Sequence, residues 1–429
     1  MANPGHPSTH LPALDGLRGM AVLMVFICHV SETFWSIPNP WRNIPYLLWA
    51  GWTGVDLFFV LSGFLITGIL WENRAATHYF RNFYARRTLR LFPLYYTALV
   101  IIFLVIPLLV PIFEHRSPVM TEIAARLRDS EKAAGYWPWF FTYNADFLFT
   151  IKNLMFPGQF WSLAVEEHFY LMWPLLIHRL SHGILIKVTS GIVIGTLILR
   201  VCLYHFLIPY GMYCFTFCRM DGLAMGALIA LIMRNPDGIA TLTRFSKKAF
   251  PIILVFCAAL LLYQRGVWNQ YGFIQQTIGF SLTPAFYACL LIAVLTNDKA
   301  AGLFSNRTLR FLGKYSYAIY IIHPFVMNYI RPLFSRHYSI VAALIHGGNT
   351  IARQSMAIQL LDGVCFIGSV IGITMILALI SWKLIEQPFL NLKKYFPYEK
   401  ANPADGSDLV MTLAENTGAI AIPEDVPPG

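Results

Sequence analysis

Apolar segments long enough to cross a bilayer recur along this chain, and no other feature limits its folding as strongly. A helical crossing takes roughly 20 mainly apolar residues, and its backbone polar groups must be satisfied inside the segment. Ten crossings are expected, at about 13–33, 52–72, 91–113, 159–180, 187–207, 213–233, 249–265, 277–296, 315–335 and 358–382. Composition supports this, since 57% of the 429 residues are hydrophobic and only 13% are charged. The expected fold class is an all-α polytopic membrane protein with about ten transmembrane helices.

Cationic loops favour the cytoplasmic side. Placing the N-terminus there puts most Lys and Arg inside, among them Arg74, Arg81, Arg86, Arg87 and Arg90, then Arg234, Arg244, Lys247 and Lys248. Both termini are then cytoplasmic. The net charge of +10 belongs to these loops, and no soluble basic domain is visible that would take nucleic acid. No cleavable signal peptide is expected, because residues 1–12 lack a basic start. The seven cysteines lie in or beside apolar segments without a CxxC pair, so they read as core residues and no metal site is expected.

One membrane domain, 1–396, is expected, followed by a disordered cytoplasmic tail, 397–429, rich in Pro, Ala, Gly, Asp and Glu. The longest connection, about 114–158, mixes charges with the aromatic run YWPWFF and is expected to form a short amphipathic helix and a flap on the outer face. A second outer loop, 336–357, carries HGGN at 346–349.

Ionisable side chains at membrane depth are costly and mark function or structural pairing. LDGLRGMAVLMVFICHV, 14–30, holds Arg18 and His29 eleven residues apart. At about 100° and 1.5 Å per residue they share a face to within roughly 20° and stand about 16 Å apart along the axis. An anion-binding arginine at one end and a proton acceptor toward the other would suit a long donor lying along the helix. The plainer alternatives are a snorkelling Arg18 and a hydrogen-bonded His29.

Five further segments carry candidates. FWSLAVEEHFYLMWP, 160–174, sets Ser162 and Glu166 one turn apart, where a carboxylate could orient His29. GWTGVDLFFVLSGFLITG, 51–68, contributes Asp56 and Ser62, with Ser62-Gly63 as close packing or channel lining. In CRMDGLAMGALIA, 218–230, Arg219 and Asp221 are too close in sequence to share a face and are expected to pair with other helices; Gly222 and Gly226 give a GxxxG approach. LGKYSYAIYIIHPF, 312–325, brings Tyr320 and His323 onto one face, lining a channel or, for His323, bonding a carbonyl freed at Pro324. On the cytoplasmic side YARRTLRLFPLYY, 84–96, clusters Arg86, Arg87 and Arg90, suited to phosphates or to anionic lipid. The HxxxxD spacing of His10 and Asp15 is interrupted by Pro12 and reads as chance.

Taken in order, these segments and IEQPF at 385–389 resemble acyltransferase family 3, over nearly the whole chain to about residue 396. The resemblance implies a membrane O-acyltransferase of the bacterial inner membrane that takes acyl-coenzyme A, most commonly acetyl-CoA, from the cytoplasm as co-substrate, with no bound cofactor. The acceptor it implies is a saccharide or glycolipid hydroxyl on the other side, and any further acyl-transfer step would need a separate periplasmic protein. By the same resemblance Arg86, Arg87 and Arg90 correspond to the donor-binding cluster, and Arg18 and His29 to the functional pair of the first helix; our reading adds Arg18 to the donor-binding residues. Our reading makes His29 the general base, oriented by Glu166, or the group that itself attacks the thioester. Asp56, Ser62, Ser162, Arg219, Asp221, Tyr320 and His323 then line the channel or acceptor site. The rival reading is a transporter of a lipid-linked sugar or small anion, against which stands the lack of a repeat with matching broken helices.

Overall fold

A computed structural model of the chain describes residues 11–31, 48–114, 117–152, 154, 156–264, 270–334 and 356–398, with the backbone alone at Pro118, Pro209 and 356–359. His10, the loop with HGGN and the tail beyond Tyr398 lie outside the described residues. Among those described there is no strand. Their helices include α1 (Pro12–Ser31), α2 (Gly54–Glu72), α3 (Tyr79–Val100), α4 (Pro118–Ala134), α5 (Ala145–Lys152), α6 (Phe160–Arg179) and α7 (His182–Leu203). They continue with α8 (Met220–Ile232), α9 (Gly238–Tyr263), α10 (Phe280–Thr296), α11 (Arg307–Lys314), α12 (Ser316–Ile330) and α13 (Met356–Ser381).

Seven of the expected crossings form helices long and apolar enough to span a bilayer. They run Pro12–Ser31, Ala50–Glu72, Tyr79–Phe113, His182–Leu203, Gly238–Tyr263, Gln275–Thr296 and Leu360–Tyr395. The other three are α6, α8 and α12. Helix α6 is long enough but its apolar run is broken by Glu166, Glu167 and His168, whereas α8 and α12 have 13 and 15 residues. These helices carry Ser162, Glu166, Asp221, Tyr320 and His323 among the candidate residues.

Lipid explains the outer surface. Leu108, Val255 and Leu262 are 68%, 68% and 78% exposed, which for large apolar side chains on long helices means contact with hydrocarbon. Helix α2 is the reverse, buried along most of its length among α1, α6, α8 and α10. Backbone contact makes that packing close. A Cβ at Gly63 would overlap the Leu223 carbonyl oxygen, and one at Gly226 the Val60 carbonyl oxygen, so the GxxxG expectation holds at the α2–α8 crossing. Helix α1 is held in the same way on two sides. Gly16 and Gly19 lie against the backbone of Phe304 and Leu309, while Gly51 and Gly54 of the α2 segment lie against the carbonyls of Met24 and Ala21.

Within the 114–158 connection, α4 is the amphipathic helix expected there, and the remaining described part holds short helices, α5 among them, where a flap was expected. Ser117 caps α4 by accepting from the Met120 N–H at 3.2 Å. Ala124 and Leu127 pack on Ile106, Val110 and Tyr329, and Arg126 donates to Asn328 Oδ1 at 3.1 Å, docking α4 on α12. All seven cysteines are free thiols.

Candidate functional site

Between α1, α2, α3, α6 and α12 lies a cavity of about 100 Å³. Its cationic wall is Arg18 from α1 with Arg87 and Arg90 from α3, and its other polar lining includes Ser62, Ser162, Glu166 and Tyr320. Helix geometry assembles the arginines. On α3 at about 100° per residue, Arg90 falls angularly between Arg86 and Arg87, so a wall can take Arg87 and Arg90 while Arg86 faces aside. Arg86 does face aside: Nη1 donates to the Phe396 carbonyl at 2.9 Å and its guanidinium lies 4.7 Å from the Tyr398 ring. The expected donor cluster is thus divided, because the segment after residue 391 claims Arg86. That segment is also pinned by Asn82, which donates to the Pro397 carbonyl at 2.7 Å.

Guanidinium groups in the wall are held in place. Arg18 donates to Asp15 Oδ1 at 3.3 Å, and Arg87 stands 4.0 Å over the Tyr170 ring. Tyr170 in turn donates to Glu166 Oε2 at 3.0 Å, and Ser62 donates to Glu166 Oε1 at 2.7 Å. Both oxygens of Glu166 are therefore engaged beside the arginines. The expected contact of Glu166 with His29 is not the one made; one turn of α6 separates Glu166 from Ser162, and it is Ser162 that faces α12, sharing a hydrogen bond with the Tyr320 hydroxyl. Of Ser62-Gly63, Gly63 packs closely at the α2–α8 crossing and Ser62 lies in the cavity wall.

His29 stands beyond this wall, and its partner is a histidine. His29 Nδ1 is 2.9 Å from His323 Nε2, and the ring centroids are 5.2 Å apart. His323 is fully buried, and its Nδ1 lies 2.7 Å from the Ile319 carbonyl one turn back on α12. Tyr320, between this pair and the cavity, has its ring 6.3 Å from His323. A polar path thus runs from Arg18, Arg87 and Arg90 past Ser62 and Glu166 to Ser162 and Tyr320, and then to His323 and His29.

Asp56, Arg219 and Asp221 lie outside the cavity wall. As expected, Arg219 and Asp221 pair with other helices: Arg219 Nη2 bonds Asp56 Oδ1 at 2.6 Å, and Asp221 Oδ2 bonds Arg200 Nη2 at 2.8 Å. All four groups are buried, and Phe59, Trp161, Tyr213 and Phe280 surround the Arg219 guanidinium. Their place is a buried ionic layer between helices, not the cavity. Sequence reading missed Arg200, although it sits inside the apolar run LILRVCLYHF and the rule that singled out Arg18 applies to it equally. It also missed the Thr216 hydroxyl joining Asp146 to His168, with Thr216 Oγ1 2.6 Å from Asp146 Oδ2 and 2.8 Å from His168 Nδ1.

Comparison with known proteins decides the family. The family model described as acyltransferase domain, acyltransferase family 3, matches residues 11–383, nearly the whole chain. The chain belongs to that family. It is 28% identical over 347 residues to the peptidoglycan O-acetyltransferase OatA of Listeria monocytogenes, a match covering 76% of this chain and 50% of that one. A candidate peptidoglycan O-acetyltransferase of Bacillus subtilis is 29% identical over 338 residues, covering 73% and 48%. A candidate O-acetyltransferase of Staphylococcus aureus is 25% identical over 398 residues, covering 89% and 57%. The chain spans about half the length of the curated relatives it matches. No solved structure matches it.

Proposed function

We propose that the protein is a membrane O-acetyltransferase that moves an acetyl group from acetyl-CoA, bound from the cytoplasmic side of a bacterial inner membrane, to a saccharide hydroxyl on the opposite side. The observation that carries this reading is the convergence of Arg18, Arg87 and Arg90 on one cavity, whose Ser162–Tyr320 hydroxyl pair lies beside the His323–His29 pair. Planar guanidinium groups suit the phosphates of coenzyme A, and the polar path suits its amide-bearing arm. O-acetyltransferase relatives, two of them named for peptidoglycan, support acetyl as the group and a cell-wall or related saccharide as the acceptor.

In this reading the acceptor oxygen attacks the thioester carbonyl while its proton passes to His29. The new C–O bond forms, the C–S bond breaks, and the proton returns to the departing thiolate, giving ester and free coenzyme A. General base catalysis of this kind contributes about 100-fold to 10,000-fold. The variant in which His29 itself attacks, forming an acyl-histidine, uses the same residues and is separated by trapping labelled enzyme in the absence of acceptor. Glu166 is assigned to the donor end, holding Ser62 and Tyr170 beside Arg87.

The test uses the full chain in proteoliposomes with radiolabelled acetyl-CoA and a peptidoglycan-type saccharide. Acceptor-dependent coenzyme A release is expected, lowered at least about 100-fold by His29→Ala. Passage of saccharide without thioester cleavage would make the protein a transporter instead, and full activity in His29→Ala would remove the base.

A further inference from the structure

We infer that His323 is the positioning residue for His29, fixing its tautomer so that Nε2 is the bare nitrogen offered to the acceptor hydroxyl; the inference rests on the reading of His29 as the base. The Ile319 carbonyl oxygen can only accept, so His323 Nδ1, 2.7 Å from it, carries a proton. A neutral imidazole has one N–H, which makes His323 Nε2 a lone pair. His29 Nδ1, 2.9 Å from that lone pair, must then be the donor. Its own Nε2 is left without a proton. Each ring is held in the Nδ1–H form, the opposite of the form that free histidine side chains favour in water.

The rings are neutral for a physical reason. His323 is fully buried, and among the described residues no Asp or Glu forms an ion pair or hydrogen bond with either ring. A resting cation there would be desolvated without compensation. His29 is only partly buried, and the edge of its ring bearing Nδ1 is taken by His323, which leaves Nε2 as the nitrogen not engaged by that pairing. During transfer the acceptor proton arrives at His29 Nε2, and the Nδ1 proton moves toward His323 Nε2. Positive charge is then spread over two imidazoles instead of being held on one, and it returns to zero when the thiolate takes its proton. In this site His323 does what a carboxylate does beside other catalytic histidines, with no permanent charge in the membrane.

His323→Gln keeps an acceptor oxygen for His29 Nδ1–H, and His323→Leu keeps the volume but removes it. The full chain in nanodiscs, with isotope-labelled histidine and no acetyl-CoA, reports the His29 tautomer by NMR, assigned with His29→Ala. Nδ1–H is expected in the wild type and in His323→Gln, and Nε2–H in His323→Leu. In acetyl transfer His323→Leu is expected to lose about 100-fold in kcat with KM for acetyl-CoA held, and His323→Gln to recover most of that loss. A wild-type His29 in the Nε2–H form overturns the inference, as does His323→Leu with native tautomer and turnover. Should His323→Leu fail to fold, as read by its unfolding temperature, the tautomers of wild type and His323→Gln decide alone. A protein with the Nδ1–H tautomer that releases no coenzyme A from acetyl-CoA overturns the acyltransfer reading while upholding the pairing.

Discussion

Arg219 is 1% exposed, bonded to Asp56 and ringed by aromatic side chains, so the residue is built to join helices. Removing one partner leaves a buried charge unpaired, which costs about 3–5 kcal/mol, whereas replacing both with apolar groups of similar size is nearly neutral. We therefore expect Arg219→Met to lower the unfolding temperature of the detergent-solubilised protein sharply and Asp56→Leu/Arg219→Met to restore most of it. Equal loss in the single and double variants would argue that the pair serves a ligand. The sequence made such residues visible as misfits in apolar runs, but not their partners. Arg219 and Asp56 are 163 positions apart, and His29 and His323 are 294 apart. Periodicity reports which face of a helix a residue occupies; what stands opposite depends on how the helices cross.

Helix α3 shows the same limit at the scale of an element. Its RRxxR cluster was legible, yet nothing in those residues told that Arg86 turns to the 392–398 segment while Arg87 and Arg90 enter the cavity. The division predicts different phenotypes. Arg87→Ala should raise KM for acetyl-CoA by about tenfold or more, as loss of a charge-assisted phosphate contact does. Arg86→Ala should instead loosen the terminal segment, detected as faster proteolysis after Leu392, with a smaller change in KM. Small residues were legible as a pattern and their partners again were not. Gly226→Ala would press a methyl group into the Val60 backbone and is expected to reduce the yield of folded protein, whereas Gly302→Ala, with nothing within 4 Å, should express normally. Fluorescence-detected size exclusion of the two variants checks this.

For the whole molecule, the recurrence of apolar segments was enough to read an all-α membrane fold. Seven segments are spanning helices by length and composition, and the three that fall short are α6, α8 and α12, where polar residues shorten or interrupt the apolar run. Orientation is a separate expectation from loop charge. A cysteine introduced at position 410 should be labelled by a membrane-impermeant maleimide only after cells are opened, and labelling of intact cells would invert the topology. The clamping of α1 has a consequence of its own. Its backbone is approached closely through Gly16 and Gly19 on one side and through Gly51 and Gly54 on the other, so sliding the helix that carries both Arg18 and His29 would press backbone into backbone. Within the proposed reaction α1 is a ruler. Under that reading a donor would be measured by the distance between its charged head and its reactive carbon, and a thioester on a shorter arm would be refused for its length, however reactive it is.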